Sequence, residues 1–299
     1  MKKVLLSLSI LAVISLACGV TIDITPNAES PTQENTPVSV IEPPTTTPEI
    51  FISLTQAIPA TPEPGTLTTF GRPTLEIPSS VANGASGRDI PRNDAEDAAY
   101  WEKTPGHLEV SLGDYYILQG KFHQPRIYVY PAMPYVELST AAFESMHRLR
   151  NVMNPTAPIT ADQLPAVPFF NAAQIFASNI QTIPFQNGNG VRFVTEYAQY
   201  FAPVNNHELI YHFQGFTSDG EYYIIAIFPI TVPVLAETSD PGAVIPAGGI
   251  ALPDINDPIA DWQGYYASIT DLLNPTSPEA FTPALSQLDA LIQSMWVAP

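Results

Sequence analysis

Two pairs of polar residues on neighbouring predicted strands are the side chains best placed to bind a ligand. His212 and Gln214 share one face of their strand, and Arg192 and Glu196 share one face of the strand before it, because alternate residues of a strand point the same way. Together they offer hydrogen-bond donors, acceptors and both signs of charge. The alternative for His212 and Gln214 is that they are hydrogen-bonded or edge-exposed residues of the sheet. The alternative for Arg192 and Glu196 is a structural ion pair or a solvated face.

A second set of residues is rich in carboxylate oxygens, the ligands that Ca²⁺ prefers. Asp254, Asn256, Asp257 and Asp261 are close together in the sequence, and Asp240 precedes them. Asp254 and Asp257 are the weak calcium candidates of this group. The spacing lacks the alternate ligands and the distal Glu of an EF-hand loop, and Asp257 is also explained as a helix N-cap. The sequence therefore predicts no metal centre.

Signatures of common enzymes and cofactor sites are absent from the sequence. It contains no H-E-x-x-H, no P-loop, no G-x-G-x-x-G and no nucleophile elbow. Cys18 is the single cysteine, which excludes an intrachain disulfide and a multi-cysteine metal site. The sequence predicts no catalytic residue and no cofactor, and it favours binding over catalysis.

The charge balance excludes one class of partner. The chain has 11 Lys and Arg against 29 Asp and Glu, which gives a formal charge of -18. Nucleic-acid affinity comes largely from basic groups that displace counterions from phosphate. A nucleic-acid partner is therefore not expected for so acidic a chain.

Residues 1–17 have the composition of a secretory signal peptide. Lys2 and Lys3 precede an apolar run at 4–16, which is shorter than the roughly 20 residues that cross a bilayer. Ser15-Leu16-Ala17-Cys18 resembles the lipobox of bacterial lipoproteins, where the peptide is cleaved before a cysteine that then carries lipid. The resemblance implies a lipidated Cys18 and a protein anchored to the bacterial cell membrane on its extracytoplasmic side. The alternative is an ordinary secreted protein that is cut nearby, with Cys18 lost or free.

Residues 18–94 are predicted to form a lipidated N-terminus followed by a disordered linker. Pro, Thr, Ser and Glu dominate this segment, as at 43–48 and 59–64. Such a composition cannot bury enough apolar surface to offset the entropy lost when the chain is ordered. A flexible linker of about 75 residues would span roughly 45 to 50 Å. That distance would hold an acidic domain away from an anionic lipid surface.

Residues 95–299 are predicted to form a single α+β domain around an antiparallel meander at 191–230. Asp219-Gly220 between two apolar runs is typical of a hairpin turn in which both loop residues have positive φ. This turn sets the register and places His212 opposite Ile227. The last strand is apolar on both faces, which predicts helices on both faces of the sheet and any binding site at its ends or edges.

Further strands and helices surround the centre of this meander. The predicted strands lie at 107–112, 115–122, 126–130, 191–201, 207–216 and 221–230, and the predicted helices lie at 139–153, at 171–181, from Asp257 and from Thr282. The order of elements resembles the α/β/α sandwich of the photosystem extrinsic-subunit and Mog1-like group, which implies a fold and no site residues. The domain as a whole also resembles the uncharacterised domains found in bacterial lipoproteins.

These features together predict a lipid-anchored, non-catalytic binding or assembly module outside the membrane. Its expected partner is an envelope protein, a glycan or a small ligand, and the sequence does not choose among them. The alternative is a cell-envelope hydrolase that uses Asp, Glu or His residues near the long predicted loop at 231–253. A purely structural spacer is the third interpretation.

Overall fold

A seven-stranded antiparallel sheet organises the fold. The computed structural model describes residues 65–116, 119–155, 158–254, 257 and 259–299. The strands are β1 (Thr66–Thr69), β2 (Pro73–Ile77), β3 (Gly84–Ile90), β4 (His107–Gly113), β5 (Arg126–Pro131), β6 (Ala173–Phe185), β7 (Gly188–Ala198), β8 (Ile210–Thr217), β9 (Tyr222–Pro229) and β10 (Trp296–Val297). The helices are α1 (Ala132–Leu138), α2 (Thr140–Met153), α3 (Trp262–Leu273) and α4 (Leu285–Ser294). None of the helices in these ranges combines the length and hydropathy that a membrane crossing requires.

The strand order of the large sheet is β3-β4-β5-β9-β8-β7-β6, and every neighbouring pair is antiparallel. Two meanders, β3 to β5 and β6 to β9, are joined where β5 pairs with β9. A second sheet has the order β1-β2-β10 and brings the last strand beside the first two. The predicted α+β class with an antiparallel sheet is confirmed.

Helices cover both faces of the large sheet, as predicted. α1 and α2 pack on one face, named here the α2 face, and α3 and α4 pack on the other, named the α4 face. Along β9, Ile224, Ala226 and Phe228 join the core on the α4 face, whereas Ile225 and Ile227 join the core on the α2 face. A strand that is apolar on both sides needs such cover on each side.

The β8–β9 hairpin has the predicted register, but the predicted turn is wrong in one respect. Gly220 has a φ of 75°, whereas Asp219 is not among the described residues with positive φ. Asp219 accepts hydrogen bonds from the Thr217 hydroxyl at 2.5 Å and from the Glu221 amide at 3.0 Å. These two bonds hold the turn with a single residue, a glycine, in the left-handed region.

The predicted start of the folded domain near Ala95 is wrong. β1, β2 and β3 all lie before it, inside the segment that the composition assigns to the linker. Leu75 and Ile77 on β2 are buried, and β2 pairs with β10 and contacts α4. A short strand needs only a few alternating apolar residues. The average composition of residues 18–94, which Pro and Thr dominate, does not reveal so short a pattern. The predicted signal peptide, Cys18 and the linker up to residue 64 lie outside the described residues.

The helix predicted at 171–181 is also wrong, because Ala173–Phe185 is the strand β6. The pairing of β6 with β7 shifts register between Gln174 and Phe176 and again between Ser178 and Gln181. Each bulge inserts one residue into the strand and interrupts its two-residue alternation. The apolar residues of this segment therefore acquire the three- and four-residue spacing that is typical of a helix.

The remaining elements agree with the prediction or differ from it in small ways. Residues 115–122 form no strand in their described part, and β4 pairs with β3 instead. α2 matches the predicted helix, with Ser139 accepting the capping hydrogen bond from the Ala142 amide. α3 begins at Trp262 rather than just after Asp257, because the carboxylate of Asp261 caps it by accepting from the Gly264 amide at 2.8 Å.

Candidate ligand-binding site

The sheet separates the four polar residues that the sequence singles out. Arg192 and Glu196 lie on the α4 face, and Arg192 pairs with Asp289 of α4. His212 and Gln214 lie on the α2 face, where Gln214 contacts Ser145 of α2 at 3.3 Å. The two pairs therefore do not converge on one ligand, and each has partners inside the protein.

Arg192 is a structural side chain that ties β7 to α4. Its guanidinium donates to both oxygens of Asp289, at 3.0 Å from Nε and 2.7 Å from Nη2. It also donates to Gln181 Oε1 at 2.8 Å and to the Asn179 carbonyl, while the Tyr211 hydroxyl donates to Asp289 at 2.9 Å. The bidentate geometry fixes the ion pair in place. The ion-pair alternative is correct for Arg192, with Asp289 as the partner.

Glu196 is a buried carboxyl group with no cation among its described partners. Its Oε2 accepts from the Asn205 amide at 3.0 Å, and its Oε1 accepts from Asn205 Nδ2 at 3.2 Å. Burial raises the pKa of Glu196 well above its ordinary value, and the nearby Glu208 carboxylate acts in the same direction. Asn205 Oδ1 also accepts from the backbone amide of Glu208 at 3.2 Å, and the Glu208 side chain hydrogen-bonds the Glu196 carboxyl group.

His212 and Gln214 belong to a buried hydrogen-bonded chain on the α2 face. His212 Nδ1 lies 3.2 Å from the Tyr197 hydroxyl, and His212 Nε2 lies 3.0 Å from Gln214 Nε2. The Tyr223 hydroxyl donates to Gln214 Oε1 and lies 3.3 Å from Ser145 Oγ. All five side chains are buried. This hydrogen-bond network runs from Ser145 on α2 across the α2 face of the sheet to Tyr197 on β7.

The direction of these bonds fixes the tautomer of His212. Gln214 Nε2 donates to the Ala166 carbonyl at 3.0 Å, which identifies it as the amide nitrogen. It therefore also donates to His212 Nε2, and His212 carries its proton on Nδ1 and donates to Tyr197. Burial lowers the pKa of His212 to about 3, with the nearby His123 acting in the same direction. The imidazole is thus neutral at physiological pH.

Tyr197 connects this buried hydrogen-bond network to an open cleft of about 530 Å³. The cleft lies at one end of the large sheet, where β5, β6 and β8 begin and β7 ends. Six of its lining side chains are aromatic: Trp101, Phe122, Phe169, Phe170, Tyr197 and Tyr200. Its polar lining consists of His123, Asn171, Gln199 and Glu208. The sequence places any binding site at an end or edge of the sheet, and this cleft is such a place.

The aromatic rings of the cleft brace one another. His123 stacks on Phe170 with ring centres 5.1 Å apart, and Phe170 meets Tyr197 edge to face at 5.2 Å. Phe122 contacts His123 at 4.9 Å, and Phe169 contacts Phe170 at 5.3 Å. Contacts of this geometry favour fixed ring positions. The cleft wall is therefore largely preformed.

His123 carries an unpaired polar atom at this wall. Its Nε2 is buried and hydrogen-bonds no group among the described residues, a property shared there by Ser80 Oγ and Tyr135 Oη. Burial lowers the pKa of His123 to about 4, and His207 acts in the same direction. The neutral ring can accept a hydrogen bond at one nitrogen and donate from the other. Leaving such an atom without a partner costs about 1 to 3 kcal/mol.

In the described part of the chain, the carboxylates considered for calcium do not form a metal-binding cluster, and Asn256 lies outside the described residues. Asp257 Oδ1 accepts from the Ile259 amide at 2.9 Å, and Asp240 Oδ2 accepts from the Thr238 hydroxyl at 2.9 Å. The Asp254 carbonyl accepts from the Asp257 amide at 3.0 Å. Within the described ranges, no group of three or more His, Cys, Asp or Glu side chains is arranged to hold a metal ion.

The loop at 231–253 contains the acidic residues that a hydrolase would use. Glu237 Oε1 accepts from Asn206 Nδ2 at 3.3 Å, and Asp240 is bonded to Thr238 within the same loop. These contacts give both carboxylates a structural role.

The cleft residues His123, Phe170 and Glu208 were not predicted as site residues, although the adjacent aromatic pairs 122–123 and 169–170 next to predicted loops were a usable signal.

Comparison of the chain with protein-family models, with curated proteins and with solved structures gave no match.

Proposed function

We propose that the chain is a small-molecule-binding module, carried outside the bacterial cell membrane on a lipid anchor, and that the cleft is its binding site. The aromatic lining of the cleft, together with its few polar side chains, carries this proposal. Small-molecule sites are typically concave, largely apolar, roughly 300 to 1,000 Å³ in volume, and equipped with a few fixed polar groups. A cleft of about 530 Å³ with this lining has those properties.

A bound ligand would contact both the aromatic and the polar side chains of the cleft. The aromatic side chains of the lining would supply contact area, and the polar side chains of Asn171, Gln199 and Glu208 would orient the ligand through hydrogen bonds. The buried hydrogen bonds that link Tyr197 to Ser145 through His212, Gln214 and Tyr223 keep the base of the wall rigid. Binding to a preformed wall loses little conformational entropy.

Replacing Phe170 with Ala is expected to weaken ligand binding by roughly 10-fold, because the variant loses ring contacts to the ligand and the support of His123. A fragment library screened by thermal shift would first identify a ligand of the full chain. Isothermal titration calorimetry would then compare the two proteins.

Phe143→Ala is the matched control, since Phe143 is 50% exposed on α2 and does not line the cleft. It should leave the affinity unchanged. A library without a single stabilising fragment, or equal affinity in the Phe170 variant, would argue against the cleft as a binding site.

Replacing Cys18 with Ser is expected to abolish lipid attachment and membrane association. The lipobox-like sequence supports this proposal, and any label on the chain is easy to assign because Cys18 is the single cysteine. The full chain would be expressed in a bacterium with an alkyne-tagged fatty acid, followed by fractionation. Thr21→Ser is the control and should keep both label and membrane position. A parent chain that takes no label would exclude the anchor.

A further inference from the structure

We propose that residues 205–208 form a pH-sensitive latch on the wall of the cleft, which is closed while Glu196 and Glu208 share one proton and opens when that proton is lost. The latch goes beyond the proposed function, because it acts whether or not the cleft holds a ligand. Its control of ligand binding rests on the proposed function. Three observations carry the inference: the hydrogen bond between the two carboxyl groups, the burial of Glu196, and the contacts of the segment with the cleft.

The hydrogen bond between the two carboxyl groups requires a proton. The Glu208 side chain hydrogen-bonds that of Glu196, whereas two ionised carboxylates offer only acceptors to each other. One proton must therefore lie between them, and it belongs to the pair rather than to either residue alone. Glu196 is fully buried, and Glu208 is half-buried and lines the cleft.

The described partners of Glu196 include no cation. Asn205 donates to it from its backbone amide and from Nδ2, at 3.0 Å and 3.2 Å. On the side of α3, Tyr265 and Tyr266 interact with it electrostatically, and burial raises the pKa of both hydroxyl groups. Those hydroxyl groups are therefore neutral near pH 7, and they hydrogen-bond the backbone at 202–204. A negative charge on Glu196 would be balanced by neutral donors only.

The segment joins three parts of the fold. Asn205 binds Glu196 at the end of β7. Asn206 Nδ2 donates at 3.1 Å to two carbonyl groups of the long loop that follows β9. The His207 carbonyl accepts from the Phe122 amide at 3.0 Å, and Phe122 lines the cleft. Movement of the segment would therefore displace part of the cleft wall.

The other charged or titratable groups beside the segment are Lys121, Glu237 and His207. Lys121 Nζ donates to the Asn206 carbonyl at 2.7 Å, and Glu237 Oε1 accepts from Asn206 Nδ2 at 3.3 Å. The His207 ring meets that of Phe122 edge to face, with ring centres 6.4 Å apart. These contacts hold the segment without neutralising the carboxyl pair.

A rise in pH is expected to open the latch. Burial raises the pKa of Glu196 well above its ordinary value of about 4.5, so the closed segment keeps a proton that a solvated glutamate has already released. Opening thus releases one proton to water, and higher pH favours it. Above the raised pKa, the closed segment would hold two like charges in a buried site, which is strongly unfavourable.

Hydrogen–deuterium exchange of the full chain between pH 5 and pH 8 would measure this opening by mass spectrometry. Exchange rates corrected for intrinsic chemistry give the opening constant of peptides that contain residues 205–208. The ratio of this constant in the parent to that in Glu196→Gln should rise about 10-fold per pH unit until the closed pair ionises. The variant keeps a neutral donor to Glu208 and has no proton to release. Glu144→Gln, on the exposed face of α2, is the control and should follow the parent.

A second variant and a binding measurement extend the test. Glu208→Gln can donate its amide to the Glu196 carboxylate without a shared proton, so it should narrow the pH range over which opening rises. An uncharged fragment that binds the cleft should lose affinity for the parent in proportion to the closed fraction. Its affinity for Glu196→Gln should not change with pH.

The outcomes separate the latch from the proposed function. Equal pH dependence in the parent and in Glu196→Gln would overturn the latch, and so would opening of the parent that does not change with pH. A constant fragment affinity while the segment opens would overturn its control of the cleft. A fragment library without a hit would count against the proposed function, whereas the exchange measurement would still decide the latch.

Discussion

Replacing Arg192 with Met is expected to lower the free energy of unfolding by about 3 to 5 kcal/mol, the usual loss when one partner of a buried ion pair is removed. The Arg192 side chain is 3% exposed and that of Asp289 is 13% exposed. The variant leaves the Asp289 carboxylate with only the Tyr211 hydroxyl from the present set of contacts. It also leaves the Asn179 carbonyl and the Gln181 amide without the guanidinium donor. Urea unfolding followed by circular dichroism would measure the loss.

Two further variants make this result interpretable. Arg148→Met removes an exposed guanidinium from α2 and should change stability by no more than about 0.5 kcal/mol. The double variant Arg192→Met with Asp289→Leu removes both charges and should recover part of the stability, because no unpaired charge remains. A loss below about 1 kcal/mol in Arg192→Met would mean that the pair is accessible to solvent in solution.

Acidification is expected to destabilise the fold through His212. The folded-state pKa is about 3, whereas an unfolded histidine titrates near 6.5. Between these values the unfolded chain takes up a proton that the folded chain does not, so stability is lost as the pH falls from about 6.5 towards 3. The slope for one such group is about 1.4 kcal/mol per pH unit, and the whole window amounts to about 4 to 5 kcal/mol.

The contribution of His212 can be isolated with a His212→Gln variant. His123, with its pKa of about 4, acts in the same direction as His212, whereas the raised pKa of Glu196 makes stability fall as the pH rises. Both groups are present in parent and variant, so the difference in unfolding free energy between the two proteins reports on position 212. That difference should shift by about 1.4 kcal/mol per pH unit between pH 6 and 4.

The exposed His147 on α2 provides the control for this titration. His147→Gln should follow the parent over the whole pH range, because it replaces an exposed side chain outside the buried network. If His212→Gln loses stability with pH as steeply as the parent, the buried neutral imidazole does not control acid unfolding. The absolute stability of His212→Gln can differ from that of the parent without affecting this comparison.

Local patterns in the sequence predicted the centre of the fold correctly. The side-chain alternation along β8 and β9 reports which residues share a face, and the Asp219-Gly220 turn fixes their register. Those two facts suffice to place His212 and Gln214 together on one side. They contain no information on which helix covers that side, so Ser145 could not be named as a neighbour.

The errors have equally specific causes. Arg192 and Asp289 are 97 residues apart, and no local pattern pairs a strand residue with a distant helix. The bulges of β6 gave a strand the apolar spacing of a helix. The cleft escaped prediction because separate loops contribute to it, around Trp101, His123, Phe170, Tyr200 and Glu208. Such a site exists only after the sheet has brought the loops to one end.

The small β1-β2-β10 sheet cannot be completed until β10 has been synthesised. The Arg72 guanidinium donates to the Pro299 carbonyl at 2.5 Å although the two residues are 227 positions apart. At 5 to 20 residues per second, a ribosome needs roughly 10 to 45 s to make the intervening chain. Throughout that time β2 lacks its β10 partner and exposes an unpaired strand edge, which is a template for aggregation. Because β2 is only five residues long, it is a short template, which limits the risk of aggregation until Trp296 and Val297 pair with it.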